Sequence, residues 1–273
     1  MRFVIHPIAK LLDWNPKKCL KTDLMETFGI DIGGSGIKGA VVDSKSGKLL
    51  SERLRLPTPQ KPDAKSLIAV LKDLLDAFDW KKGPVGIGFP GPIRDNVILT
   101  AINLDSSLVG VNLAKELYPL KPGKITVLND ADAAGFAEMQ FGVGKPYLKE
   151  GTVLLFTVGT GIGTVIFRNG ILVPNMEFGT IEYKGRVAES FVSERARKKE
   201  ELSWIRWAKR FNGYLQYMER LILPDFIILG GGGVKRPERF QEEIKLDTPW
   251  DFAHFGNRAG ILGAGIAAAR KGS

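Results

Sequence analysis

One pattern limits this chain more than any other: a strand, a glycine-rich turn and a second strand occur twice at matching places. Asp31-Ile32-Gly33-Gly34 corresponds to Thr157-Val158-Gly159-Thr160, an offset of 126 residues. In each copy one apolar run enters the turn and another leaves it, Thr27 to Ile32 then Ile37 to Asp43, and Thr152 to Val158 then Thr164 to Phe167. Such a turn makes a hairpin, so it does not open a helix as a dinucleotide-binding Gly-x-Gly-x-x-Gly loop must. A Walker A loop is excluded as well, because Gly144-Lys145 is followed by Pro146 and Met139 stands where its first glycine belongs. What remains is a pair of hairpins whose glycines let backbone N–H groups come close to a phosphate. The repeat predicts two similar lobes rather than one large domain.

The intervening segments fit an α/β chain. Leu49 to Leu56 reads as a strand, and Pro57, Pro59 and Pro62 mark a loop. Ser66 to Phe78 places Leu67, Ile68, Leu71, Leu74, Leu75 and Phe78 at helical spacing, and Val85 to Phe89 is an apolar strand. Lys124 to Leu128 is another, followed by Asn129-Asp130-Ala131-Asp132 and a small-residue helix over Ala133 to Gln140 with Asp132 as its expected N-cap. Asn169-Gly170 turns a hairpin into Ile171 to Pro174. Glu189 to Leu223 reads as helices, and Asp225 to Leu229 as a buried strand ending in Gly230-Gly231-Gly232-Gly233. Ala259 to Ala269 is a final helix. The expected division is an extension at 1–27, an N-terminal lobe at 28–128 completed by a helix at 258–273, and a C-terminal lobe at 129–257. For the extension, an amphipathic arm packed on the body and a stretch upstream of a start at Met25 are both compatible with the residues.

Glycine supplies 32 of 273 residues with no collagen-like period, so these glycines serve local backbone needs. The formal charge of +9, from 39 Lys and Arg against 30 Asp and Glu, favours a polyanionic partner. Nucleic acid, an acidic membrane and polyphosphate all stay open on charge alone. A single cysteine, Cys19, forms no disulfide within the chain, and with only His6 and His254 beside it no Cys/His zinc cluster can be built. A reducing cytoplasm is the expected compartment, and no apolar run reads as a membrane span or secretory signal.

Three polar residues stand where chemistry could use them. Lys38 adds a cation to the first hairpin. Asp130 ends a strand just before a helix, where a carboxylate facing a cleft can orient and deprotonate a hydroxyl. Its reference pKa near ~3.9 predicts an ionised side chain at neutral pH. Asn129 beside it suits a hydroxyl of a polyol. Asp31 as a turn carboxylate and Asp130 as a helix cap are the plainer alternatives, and recurrence of the hairpin weighs against them.

Two hairpins plus a third glycine loop resemble the actin, hexokinase and sugar-kinase superfamily. The resemblance sharpens at Gly29-Ile30-Asp31-Ile32-Gly33-Gly34-Ser35-Gly36-Ile37-Lys38-Gly39, Gly86-Ile87-Gly88-Phe89-Pro90-Gly91-Pro92, Leu128-Asn129-Asp130-Ala131-Asp132-Ala133-Ala134-Gly135 and Gly159-Thr160-Gly161-Ile162-Gly163, which look like the ROK sugar kinases. Within them, Leu172-Val173-Pro174-Asn175-Met176-Glu177-Phe178-Gly179, Leu202-Ser203-Trp204 and Asn257-Arg258-Ala259-Gly260-Ile261-Leu262-Gly263 are most similar to the polyphosphate glucokinases. The resemblance runs from about Phe28 to the C-terminus.

It implies a two-lobed actin-like (ribonuclease H-like) α/β fold with an interlobe cleft, and magnesium-dependent transfer of a phosphoryl group from polyphosphate or ATP to the 6-hydroxyl of a hexose. Asp130 would be the base. Asn103, Asn129, Asp130, Glu177, Thr180 and Glu189 would meet the sugar. The phosphate donor would lie against Gly33, Gly34, Ser35, Lys38, Thr157, Gly159, Thr160, Gly161, Gly230, Gly231 and Gly232, with Asp31 holding Mg²⁺ through water. Zinc is not expected, since Thr180 to Glu189 lacks the cysteines most ROK kinases carry there. A homodimer is. Thr180 departs from the family's Glu-x-Gly-His, and Leu108 replaces a frequent tryptophan, which predicts a wider sugar pocket.

The positive charge then has a use: Arg195, Arg197, Lys198, Lys199, Arg206, Lys209 and Arg210, followed by Lys235, Arg236 and Arg239, could line a polyphosphate groove. A solvated helix face is the alternative, and Glu200 and Glu201 interrupt the run. A sugar-responsive DNA-binding repressor needs a helix-turn-helix before the first hairpin, for which 27 residues are too few. A sugar-binding pseudoenzyme is suggested by Thr180, but retention of Asp31, Asp130 and both hairpins argues against it.

Overall fold

The computed structural model describes residues 26–270 except 61, 82, 102, 103 and 121. The readings of the segment before Glu26 therefore fall outside the described residues. In chain order the first half runs β1 (Glu26–Gly33), β2 (Gly36–Asp43), β3 (Lys48–Leu49), β4 (Leu54–Leu56), α1 (Ala64–Ala77), β5 (Val85–Phe89), β6 (Ile93–Arg94), β7 (Val97–Ile98), α2 (Leu113–Leu117), β8 (Ile125–Asn129) and α3 (Asp130–Phe141). The second runs β9 (Thr152–Val158), β10 (Ile162–Arg168), β11 (Ile171–Val173), β12 (Glu182–Tyr183), β13 (Arg186–Val187), α4 (Glu189–Val192), α5 (Glu194–Lys199), α6 (Trp204–Ile222), β14 (Phe226–Gly230), β15 (Trp250–Phe252) and α7 (Ala259–Ala269).

The two main sheets have the same plan. One is ordered β3-β2-β1-β5-β8 with β4 also on β2, the other β11-β10-β9-β14-β15. In each, an antiparallel hairpin is followed by two parallel strands. The turns differ in length. Gly33 pairs with Gly36 across two residues, whereas Val158 pairs with Ile162 across three. The 126-residue offset therefore holds for the leading strands and slips by one on the return. Lys38 lies opposite Asp31, but Gly163 lies opposite Thr157.

Helix α1 starts because the Asp63 carboxylate accepts the Ser66 N–H at 2.8 Å, and it buries Leu67, Leu71, Leu74 and Leu75 on the first sheet. Each fully buried leucine contributes about 1.5–3 kcal/mol. Ser203 caps α6 in the same way, and that helix buries Trp207, Phe211, Tyr214, Leu215 and Met218 on the second sheet. Between the sheets, α3 and α7 pack on one another, α7 against β1, β2 and β5 and α3 against β9 and β10. The contact is close because glycines remove side chains from it. A Cβ at Gly29 would meet the Ile261 carbonyl, one at Gly86 the Ala264 carbonyl and one at Gly263 the Ala133 carbonyl. The glycine excess thus serves helix packing as well as the loops.

Two sequence expectations need correction. Leu49 to Leu56 is two short strands separated by a bend. Helix α3 begins at Asp130, not Ala133, and its cap is Asn129, whose side chain accepts the Ala131 and Asp132 N–H groups. Asp132 lies inside the first turn and is 1 % exposed.

Candidate active site

Strand ends β1, β8, β9 and β14 converge with the N-terminus of α7 on one cleft, lined by Asp31, Lys38, Asp130, Thr157, Gly230 and Gly231 among others. These six are the residues singled out from the sequence that line it, and Gly159 and Thr160 line a second recess. Asn103 lies outside the described residues.

On the first hairpin the Lys38 ammonium donates to Asp31 Oδ2 at 3.0 Å. Strand register causes this, because the two residues are direct partners. Arg55 on β4 reaches over the turn and donates to the Ser35 carbonyl, filling the space beside Gly36. Thr58 donates to the Gly33 carbonyl at 2.6 Å. On the second hairpin Gly159 N–H donates to the Gly161 carbonyl at 3.0 Å, and the Arg195 N–H to the Gly159 carbonyl at 3.3 Å. Thr157 Oγ1 occupies the space that a side chain at Gly163 would need.

Three glycines stand apart among the described residues. Gly34, Gly159 and Gly232, one in each glycine loop, have no left-handed φ, and a Cβ added to any of them would meet nothing within 4 Å. Neither backbone conformation nor packing in the protein calls for glycine there. Gly231 is different: its φ is 88° and its Cβ would strike the backbone of Val158.

Acidic groups gather at the other end. Asp130 keeps part of its surface open to the cleft, yet burial, with Asp31 nearby and weaker repulsion from Glu177 and Asp132, pushes its pKa up to about 7. This corrects the expectation of a fully ionised carboxylate, because the reference value omits the cost of desolvating the charge. Its Oδ1 accepts the Ala131 N–H at 2.7 Å. Asn129 is 7 % exposed, and its Oδ1 is committed to the helix cap, so contact with a hydroxyl falls to its amide nitrogen. Burial, then the charge of Glu189, raises the pKa of half-buried Glu177. Glu189 Oε2 accepts the Ile162 N–H at 3.3 Å and lies beside Gly161, linking the acidic end to the second hairpin. Thr180 is exposed, and its hydroxyl donates to the Glu177 carbonyl at 2.7 Å. Leu108 is fully buried in the first core, so it does not face the cleft.

The basic run divides. Arg195, Lys198 and Lys199 line a recess with Gly159 and Thr160 at the second hairpin. Arg197 instead stacks on Trp204 at 4.0 Å, and Arg210 pairs with Glu200, which also holds Arg186. Arg239 lies 5.8 Å from the Trp204 ring and pairs weakly with Glu238.

Arg55 and Glu138 were not singled out from the sequence, Asp132 was read only as a helix cap, and Asn175 was quoted within a family motif without a role. Glu138 is fully buried on α3, lines the cleft from below and accepts the Phe255 N–H at 2.8 Å. It is an isolated carboxylate in an otherwise small and apolar stretch of α3, which was the available signal.

Comparison with known proteins places these features in a family. The ROK family model matches residues 27–178. A polyphosphate glucokinase from Mycobacterium tuberculosis (strain CDC 1551 / Oshkosh) is 39 % identical over 242 residues, 88 % of this chain and 90 % of that protein. The crystal structure of an inorganic polyphosphate/ATP-glucomannokinase from Arthrobacter sp. strain KM is similar at a TM-score of 0.84 and 39 % identity, covering 90 % of this chain and 99 % of that one. A ROK family glucokinase from Streptomyces griseus, solved with glucose and AMPPNP, shares the fold at a TM-score of 0.72 and 23 % identity, over 89 % and 99 % of the two chains. The architecture is the two-lobed actin-like one to which the repeated hairpins point.

Proposed function

Because the chain belongs to the ROK family and is a sugar kinase, we propose that it moves the terminal phosphoryl group of inorganic polyphosphate, and also of ATP, to the 6-hydroxyl of glucose or a related hexose. The observation that carries this reading is a cleft that brings Asp31, Lys38 and Asp130 together with Gly230 and Gly231, while each of the three glycine loops at the ends of its strands carries one open glycine, Gly34, Gly159 or Gly232. Space at Gly34, Gly159 and Gly232 lets donor phosphates approach backbone N–H groups, as anion-binding loops require. Lys38 adds charge at the first hairpin, and Gly33, Ser35, Thr157, Thr160, Gly161, Gly230 and Gly231 complete the surface. Arg195 and Lys199, with Lys198 paired to Glu194 at 3.0 Å, leave the recess beyond the second hairpin net basic, which favours a polyanion chain as donor.

The hexose then lies at the acidic end. Asp130 accepts the proton of the 6-hydroxyl as the phosphoryl group arrives, and Asn129, Glu177 and Glu189 hold the other hydroxyls, with Asn103 assigned there from the family motif. Carboxylates suit the task because each accepts several hydroxyl hydrogen bonds. The Thr180 hydroxyl is already spent on its own loop, so it holds sugar less firmly than an imidazole would, which favours tolerance for a second hexose such as mannose. Catalysis is chiefly positioning and charge neutralisation.

Among the described residues no three His, Cys, Asp or Glu side chains gather as a metal cage. Magnesium needs none: it keeps several waters and binds one or two carboxylates plus substrate phosphates, a role that fits Asp31 at the cleft. When bound it would neutralise donor charge.

The test is one matrix, glucose, mannose, glucosamine and inositol against polyphosphate and ATP, with and without magnesium. Magnesium-dependent 6-phosphorylation of glucose from polyphosphate is the expected result. Absence of turnover with every hexose overturns the proposal.

A further inference from the structure

The hexose end of the cleft has two walls from distant parts of the chain, and one side chain joins them. Asn175 lies in the loop after β11, two residues before Glu177. Its Oδ1 accepts the Ile93 N–H at 2.8 Å, and its Nδ2 donates to the Ile93 carbonyl at 2.8 Å. The amide thus pairs with both backbone groups of one residue, as a neighbouring strand would. Ile93 begins β6, directly after Pro90-Gly91-Pro92 at the end of β5. The Asn175 N–H donates to Asp132 Oδ2 at 3.0 Å, which ties the same residue to the first turn of α3, two residues beyond Asp130.

Glu177 is held from the other side as well. Thr164 on β10 donates to the Met176 carbonyl at 2.5 Å and accepts the Phe178 N–H at 3.0 Å. The backbone on both flanks of Glu177 is therefore fixed before any ligand arrives. Asn175 has a φ of 59°, a left-handed conformation that asparagine tolerates better than most residues. Asp132 is 1 % exposed, so its bond to Asn175 is shielded from water.

We infer that Asn175 is a positioning residue, a clasp that ties the Glu177 loop to the Pro90–Ile93 strap and to α3, and so sets the gap in which the hexose is held. The inference rests on the sugar-kinase reading for its effect on hexose, while the clasp itself can be measured without substrate. It predicts an asymmetric fault. Loss of the clasp loosens the hexose end and leaves the donor loops, which Asn175 does not touch, as they are.

Asn175→Gly is the discriminating variant, since glycine adopts the left-handed φ without strain and deletes only the side-chain bonds. In the full chain, KM for the hexose should rise about tenfold, the size expected for losing two hydrogen bonds, with KM for polyphosphate within about twofold of wild type. Asn175→Asp keeps the acceptor for Ile93 N–H but sets a carboxylate oxygen against the Ile93 carbonyl and adds a charge beside Asp132, so a rise at least as large is expected. Hydrogen exchange at the Ile93 amide should quicken in Asn175→Gly whether or not substrate is present. A merely structural role would lower the folded fraction and leave both KM values unchanged. Unchanged hexose KM in a folded, active Asn175→Gly variant, or unchanged Ile93 exchange, overturns the clasp. A wild-type protein inactive on every hexose overturns the sugar-kinase reading and this inference with it.

Discussion

Glycine does opposite work in two regions of this molecule. Where α3, α7 and the first sheet meet, Gly29, Gly86 and Gly263 are needed because another backbone already fills the space. In the three loops, Gly34, Gly159 and Gly232 border space that no protein atom fills. The first set holds the sheets at their spacing; the second leaves room that the protein itself does not fill. A glycine whose absence of a side chain is unexplained by its own protein is evidence about a ligand.

Substitutions should separate the two sets. Gly263→Ala forces a methyl group into the Ala133 carbonyl, and overpacking of this kind at backbone is expected to cost about 3 kcal/mol or more. Thermal denaturation should then show a melting temperature lower by roughly 6 °C or more, or no folded protein at all. An unchanged melting temperature would mean that the α3–α7 contact is looser than described.

Asp130 lies between the two regions and should affect both function and stability. Asp130→Asn is expected to lower kcat by about 10²–10⁴ in steady-state assays, the usual contribution of a positioned base. Its pKa is raised to about 7 from an unfolded value near 3.8, so the folded state binds a proton that the unfolded chain releases. Stability from this group is present in full below the unfolded pKa and is lost as pH rises through about 7. Asp130→Asn should therefore be more stable than wild type at pH 8, by on the order of 2–4 kcal/mol, and little different at pH 4. The wild-type kcat/KM for hexose should fall as pH drops below about 7, where the base is protonated. A flat profile from pH 6 to 8 would remove Asp130 from that role.

A smaller effect is expected at the second hairpin. Replacing Lys198 and Lys199 by alanine should raise KM for polyphosphate by a few fold and reduce its salt dependence, with little change for ATP. Equal salt responses for both donors before and after substitution would count against a polyanion path through that recess.

Much of this organisation was legible in the residues, for identifiable reasons. The hairpin repeat and the α7 boundaries, Ala259 to Ala269, follow from local apolar runs and small residues, which mean the same thing in any context. The start of α3 did not, because Asn129, Asp130 and Asp132 are all cap-forming types within four positions and only the end of β8 decides among them. Charge was legible as a total but not as a partition. Trp204 and Glu200 take up Arg197 and Arg210, and these contacts depend on how α5 and α6 fold together. Asn175 stood within a family motif, but its role was not legible there, since its partners are Asp132 and Ile93, 43 and 82 residues away in the chain. The Asp130 pKa was missed because its causes, burial and the Asp31 charge, exist only in the fold.

The most direct test of the account is Gly34→Ala, followed by thermal denaturation and by KM for polyphosphate and for hexose. The added methyl group meets no protein atom and the φ is ordinary, so stability should hold or rise by about 0.4–1 kcal/mol. KM for polyphosphate should rise about tenfold or more while KM for hexose stays within about twofold, because one methyl group at a phosphate-contacting amide displaces the donor alone. A folded Gly34→Ala protein with donor KM unchanged would contradict the claim that these loops hold the phosphates.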